Sequence, residues 1–337
     1  MTVVDIQFFV RLFTSVVWEA MPFIVLGALI AGILEEFLPQ QLIGKIMPKH
    51  ALPAVVIGSL LGLVFPMCEC GIVVVMRRLL RKGLPLSCCI AYMLCGPIIN
   101  VVVLMSTWVA FVGHGYGAEM VILRAGMGFV VACVTGLIVH VVYRKYGNSL
   151  LTPLATPPAA VALGMADDDA KPAKKPFVQR LGNIAQTSLH DFVDIMVFLI
   201  LGSLLAAIVK LYVTPEQVET LSRDQPYLAI PLMMLLAVLM CLCSEADAFV
   251  AASFKEAAFT AKLAFLVLGP MFDLKLLLMF TRVFRPKLIA VIVVCTVSQV
   301  LVYCMILHSV TGGANPNWFP KSGGVQATTI AVPAPTK

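Results

Sequence analysis

The chain has 337 residues, of which 60% are apolar and only 42 carry charge (24 Lys+Arg plus 18 Asp+Glu), or 12% where a soluble protein carries about 25%. A charged shell cannot be assembled from so few groups. That excludes a soluble enzyme, a nucleic-acid binder and a secreted disulfide scaffold, and leaves an all-α polytopic membrane protein. Roughly 200 apolar residues, at about 20 per span, set a ceiling of about ten membrane segments, so 8–10 are expected.

In chain order, apolar runs cover Ile6 to Leu34, Leu52 to Phe65, Gly71 to Met76, Leu84 to Val112 and Glu119 to Tyr143. Met1 to Gln7 has no basic n-region, so the first run is expected to be retained as a span. From Arg144 to Arg180 the composition changes to five prolines, the run Asp167-Asp168-Asp169 and nine charges in 37 residues, which predicts a flexible linker. Apolar runs resume at Gly182 to Val213, Tyr227 to Cys243, Ala246 to Phe254, Thr260 to Phe280 and Lys287 to Val310. The expected organisation is a first membrane repeat over 1–143, a cytoplasmic linker over 144–181, a second repeat over 182–310 and a disordered tail over 311–337.

The two halves resemble each other. Met67-Cys68-Glu69-Cys70 falls on Met240-Cys241-Leu242-Cys243 with an offset of 173, and the same offset carries Gly96-Pro97 onto Gly269-Pro270 and Asn100 onto Asp273. A shift of 175 brings Glu19 onto Asp194 and Gly27 onto Gly202. Duplicated halves flanking a linker are a common build of secondary transporters. The run Leu52 to Phe65 is too short for a bilayer core of about 30 Å. If it turns back near Cys68 as a re-entrant hairpin, the halves become inverted. Lys45, Lys49, Arg77, Arg78, Arg81, Lys82, Arg144, Lys145, Arg282, Arg285 and Lys287 then share the cytoplasmic side, as the positive-inside rule prefers, with Arg11, Arg223, Lys255 and Lys262 outside. A single broken span with parallel halves obeys that rule less well.

Four constellations carry possible chemistry. Residues two apart on a regular helix point about 200° away from each other, so each Cys-x-Cys pair converges only where the helix breaks. Pro66 and Gly71 supply such a break around Cys68 and Cys70, and Ser244 is a candidate N-cap for a helix starting at Glu245, after Cys241 and Cys243. Thiolates prefer soft ions and metalloids. Mid-span Gly96-Pro97 and Gly269-Pro270 free backbone carbonyls, with Asn100 and Asp273 one turn further on to face the opening. Glu19, Glu35, Asp191, Asp194, Glu245, Asp247 and Asp273 lie in or beside apolar runs. Glu245 and Asp247 are candidates for proton coupling, for cation binding, or for ion pairs with Lys275 or Arg124. His190 reads as interfacial and solvated, and the Arg77–Lys82 cluster as a topology anchor, unless Arg77 meets a substrate anion. Cys88, Cys89, Cys133, Cys295 and Cys304 read as free, apolar packing residues. No phosphate-cradling loop and no haem-attachment motif is present, so neither an ATPase nor a cofactor or resident metal is expected.

The residues Cys70-Gly71, Arg77-Arg78-Leu79-Leu80-Arg81-Lys82-Gly83-Leu84-Pro85, Gly96-Pro97-Ile98-Ile99-Asn100 and Gly269-Pro270-Met271-Phe272-Asp273-Leu274-Lys275 resemble those of the ArsP/YraQ-type permeases, over about Phe13 to Val310. The resemblance implies a multi-pass permease of the bacterial inner membrane and, for the arsenic-resistance members, efflux of trivalent organoarsenicals.

The expectation is therefore a secondary-active permease for a small thiophilic or anionic solute, rather than an enzyme. Cys68, Cys70, Cys241 and Cys243 would line the solute's path, Gly96, Pro97, Gly269 and Pro270 would open it, Asn100 and Asp273 would orient the solute, and Glu245 or Asp247 would couple a proton. Its partners would be the solute, the lipid bilayer and, beyond those, a second copy or a partner subunit. The alternatives are a membrane thiol-redox enzyme cycling the Cys-x-Cys pairs and a channel-like subunit of a larger complex.

Overall fold

A computed structural model describes residues 3–37, 50–65, 67–153, 155, 176–212, 226–254 and 257–312. Lys45, Lys49, Pro66, the Asp167–Asp169 run, Arg223, Lys255 and the tail beyond 312 lie outside the described residues, as does the side chain of Glu19. In the first half the helices are α1 (Val3–Phe37), α2 (Ala51–Val64), α3 (Glu69–Arg81), α4 (Leu86–Cys95), α5 (Val101–Val112) and α6 (Gly117–Tyr146). In the second they are α7 (Phe177–Tyr212), α8 (Pro226–Met240), α9 (Asp247–Ser253), α10 (Phe259–Met271), α11 (Leu274–Val283) and α12 (Pro286–Thr311). No β-strand occurs among the described residues, as expected where lipid offers the backbone no hydrogen bonds.

Phe9–Phe37, Gly117–Leu150, Val178–Leu205, Phe259–Val283 and Pro286–Thr311 are long and apolar enough to cross a bilayer, and shorter apolar helices lie between them. The chain is an all-α polytopic membrane protein. Its long helices keep one apolar face exposed, with Val130 and Val141 on α6 and Val294 and Val302 on α12. Every residue of α4 and of α10 is buried. A helix that is apolar all round belongs inside, and the longer helices surround these two.

Helix directions follow from named contacts. Gly58 of α2 sits on Cys88 of α4, where an added Cβ would come within 2.4 Å of its carbonyl oxygen, and Gly62 sits as close to the Cα of Gly96. The two helices therefore run parallel, seated through a Gly-x-x-x-Gly face that lets backbones approach. A tight turn at Gly83 (φ 97°) joins α3 to α4, and Ile72 near the start of α3 reaches Gly96 at the end of α4, so these two are antiparallel. Consequently α2 runs inward, the chain turns around Met67 and Cys68, and α3 returns to the side it came from. In the second half α8 and α10 meet at Ala237 and Gly269, near both C-terminal ends.

The helices matched by the repeat pack antiparallel across the two halves. Near the end of α1, Gly32 and Glu36 meet Ser188 and Asn183 near the start of α7. On the other pair, Thr135 and Met127 of α6 meet Gln299 and Cys304 of α12.

The range read as linker is partly ordered. Helix α6 continues to Tyr146 and a 3₁₀ turn over Gly147–Leu150, and α7 opens at Phe177. Leu150 and Leu151 are buried, and Arg285 donates to the carbonyl of Leu150 at 2.9 Å while Thr152 donates to that of Val283 at 3.1 Å. Two apolar side chains and the open ends of α11 and α12 thus hold this strap in place.

A side chain at Gly62 should force α2 off α4. Gly62→Val is expected to destabilise the protein by about 1–3 kcal/mol, the usual cost of overpacking, read as a lower thermal unfolding midpoint in detergent. Gly126→Ala, where an added Cβ meets nothing within 4 Å and the site is in the interior of α6, should leave the midpoint unchanged or slightly raised.

Candidate functional site

Several helix ends meet in the interior. Helix α3 starts there: Cys68 is its extended N-cap (φ −71°, ψ 168°) and Glu69 its first residue. Helix α5 starts there too, with Asn100 as N-cap accepting a hydrogen bond from the Val102 amide at 2.9 Å. Asp273 caps α11 in the same way, accepting from the Leu276 amide at 2.6 Å. Both caps fall at the positions matched by the repeat, and a short polar side chain satisfies a helix start that lipid and apolar neighbours cannot.

The breaks themselves differ. In the first half the helix stops at Cys95 and turns through Gly96–Ile99, as the Gly-Pro pair predicts. In the second, α10 runs through Gly269-Pro270 to Met271, and the extended residues are Phe272 and Asp273. Pro270 has no N–H to give the Leu266 carbonyl and its ring crowds it, so the last turn of α10 is weakened and the helix ends one residue later. Gly96 has a packing role as well, since α2 rests on it through Gly62. Helix α8 ends at Met240, and Cys241 takes a left-handed backbone (φ 49°), uncommon outside glycine. Ser244 is not a helix N-cap. The next helix starts at Asp247 after Ala246, because the Ser244 hydroxyl donates to Glu69 Oε2 at 3.3 Å and its carbonyl accepts from Arg124 at 3.2 Å.

Charged groups join the two halves. Arg124 of α6, fully buried, donates to Asp247 Oδ2 at 2.7 Å and to the hydroxyl of Thr107 on α5 at 2.7 Å. Lys275, also fully buried, lies 2.9 Å from Glu69 Oε1 and 3.8 Å from Asp273 Oδ2. Each pair takes one residue from each half, and Ser244 touches both. Of the two partners the sequence offered Asp247, Arg124 is the one it has, while Lys275 goes to Glu69. Two glycines matched by the repeat seat the flanking helices here. A Cβ on Gly27 would come within 2.9 Å of the Gly71 Cα, and one on Gly202 within 3.0 Å of the Lys275 Cα.

The four cysteines of the Cys-x-Cys pairs are buried and free. Cys68 lies beside Cys70, and Cys243 lies near both Cys68 and Lys275. Cys241 lies beside Asp273 and the start of α11, and its thiol donates to the Val238 carbonyl at 3.4 Å. Both pairs, the Asp273 cap, Asp247 and its neighbour Glu245 thus occupy one region. The sequence reading passed over Glu69. It stands between two cysteines opposite Leu242 in the repeat, so a search for matched residues discards it. The signal was an acid inside an apolar run.

On the basic side, Arg77 and Arg78 both hold the buried Asp191, Arg78 through Nη2 at 2.8 Å. Arg77 and Arg282 bracket Asp194, at 3.5 and 3.3 Å. His190 is 72% exposed, 3.9 Å from Asp194, matching the solvated reading. A small cavity of about 30 Å³ lies between α3, α7 and α11, lined by Arg77, Asp194, Arg282, Phe198, Val73 and Met279 among others. Val73 and Met279 are one helical turn along from Glu69 and Lys275, so the inner end of the cavity lies about a turn from the buried pair.

A family model described as "Predicted permease", ArsP_1, matches residues 5–309. A Bacillus subtilis protein named UPF0718 protein YcgR is 35% identical over 291 residues, 86% of this chain and 93% of that one. A Streptococcus mutans protein, provisionally named a two-component membrane permease complex subunit, is 32% identical over 303 residues, 88% of this chain and 93% of its own. No solved structure matches the chain significantly.

Removing one member of a buried ion pair strands a charge and costs about 3–5 kcal/mol, whereas replacing both by apolar groups is often neutral. Arg124→Met and Asp247→Leu are each expected to lower the unfolding midpoint in detergent, and the double variant to recover most of the loss.

Proposed function

Because the chain belongs to the ArsP_1 family of predicted permeases, we propose that it is a secondary-active permease carrying a small thiophilic or anionic solute through the region where the helix breaks meet. One observation carries this reading: two cysteines from each half lie beside the same buried Lys275–Glu69 pair. Soft thiols arranged around helix breaks suit a solute that is handed between sulfur ligands, such as a trivalent arsenical. The cavity bordered by Arg77 and Arg282 serves as its approach from the basic side and favours anions. Asn100 and Asp273 border the solute's path, and a buried carboxyl of the interior cluster couples its movement to protons.

The halves act as inverted repeats. The antiparallel packing of α1 on α7 and of α6 on α12 supports this, as does the return of α3 to the side from which α2 enters. Alternating access then amounts to rocking one half against the other around the shared site. The name of the Streptococcus mutans relative supports a second reading, in which this chain transports as one subunit of a two-component complex.

Everted vesicles from an arsenical-sensitive host expressing the chain should accumulate phenylarsenite or methylarsenite, measured by total arsenic. Cys68→Ser and Cys241→Gly should lower accumulation to the empty-vector level. Glycine at 241 suits the left-handed backbone and removes only the thiol. Accumulation unaltered in both variants would discard the thiol role. If activity appears only when a second protein is co-expressed, the two-component reading is the correct one.

A further inference from the structure

The interior cluster has an odd charge. Its buried carboxylates are Glu69, Asp247 and Asp273, three against the two cations Arg124 and Lys275. The three acids are held differently. Glu69 has Lys275 at 2.9 Å on one oxygen and the Ser244 hydroxyl at 3.3 Å on the other. Asp247 has Oδ2 in direct contact with Arg124 at 2.7 Å, while its Oδ1 accepts no hydrogen bond. Asp273 gives Oδ1 to the Leu276 amide, while Oδ2 is buried with no hydrogen bond, and its nearest cation, at 3.8 Å, is already on Glu69.

Capping α11 does not require a carboxylate. Asn100, the residue matched to Asp273 in the first half, caps α5 with an amide oxygen, and Asn caps as well as Asp does. An ionisable group where a neutral one would serve is costly inside a membrane and marks a function. The geometry points to Asp273 as the carboxyl that takes up and releases the coupling proton, with Lys275 passing between it and Glu69. This rests on the secondary-active reading and replaces Glu245 and Asp247 as the coupling residues.

The step balances without a co-reactant. A proton arriving from the aqueous phase adds to Asp273 Oδ2, Lys275 remains an ammonium and settles on Glu69, and the odd negative charge is gone. On release, Lys275 swings toward Asp273 and frees Glu69. A metal ion fits poorly: it would sit beside the Lys275 ammonium, and no group of three or more His, Cys, Asp or Glu able to hold one occurs among the described residues. The groups facing Asp273 are Lys275 on its own helix, Glu69 on α3 and Cys241 after α8, while Cys70 and Cys243 lie beside Lys275. Helix α7 presents Gly202 to the Lys275 turn, and α12 carries Lys287 and His308 near its ends.

The test uses the full chain in lipid and needs no solute. Infrared difference spectra across a pH titration should show the C=O stretch of a protonated buried carboxyl appearing as pH falls. Asp273→Asn, which keeps the cap, should abolish the band, and Asp273→Glu should retain it at a shifted position. Asp247→Asn should leave it in place. A band that survives Asp273→Asn, a band lost in Asp247→Asn, or no band in the parent chain overturns the assignment. A parent chain that shows the band but accumulates no arsenical sinks the substrate assignment and leaves Asp273 as the proton site.

Discussion

Charges without access to water have to find each other, and in this molecule they do so across the boundary between the two halves. Arg124 reaches Asp247 and Lys275 reaches Glu69, each over 100 residues away in the chain, with Ser244 touching both pairs. Other features of the interior follow. Glycines at 27 and 202 bring α1 and α7 close enough to enclose the pairs, and Gly58 and Gly62 bring α2 onto α4 behind them.

The same arrangement makes the site. Broken helices are tolerated inside a membrane when their open ends meet protein groups or a wet cavity. Here the ends of α3, α8, α9 and α11 bring one capping carboxylate, two ion pairs and two pairs of thiols to one region. The two halves are alike in frame and unlike in charge. Asn100 is neutral where Asp273 is acidic, and Glu69 stands where the second half has Leu242. On the proposed reading, that difference lets a solute and a proton bind close together without the two sites being identical.

Much of this frame was legible in the sequence. Composition showed the membrane protein, the offset of 173 exposed the matched breaks, and Asn100 and Asp273 were visible as polar groups one turn beyond them. What was hidden was tertiary. Nothing local says that Arg124 will choose Asp247, or that Lys275 will prefer Glu69. Nor does Gly269-Pro270 reveal that its helix will persist to Met271, since that depends on buried neighbours all around α10. Ser244 looked like a cap because its local pattern fits one, yet its hydroxyl was claimed by a residue 175 positions away. Long-range polar pairing is where local rules lose, and it is also where the chemistry sits.

The cross-half pairs have a consequence for how the protein is made. When the ribosome has finished α6, Arg124 and Glu69 are already in the translocon's product, and their partners do not yet exist. Another 123 residues separate Arg124 from Asp247, and 206 separate Glu69 from Lys275. Over that interval the first half carries a stranded cation and a stranded anion in or near lipid, where each is costly. Biogenesis therefore has a vulnerable window that closes only when α9 and α11 arrive. A chain stopped before that point is a natural target for membrane quality control, even though α1 to α6 are complete.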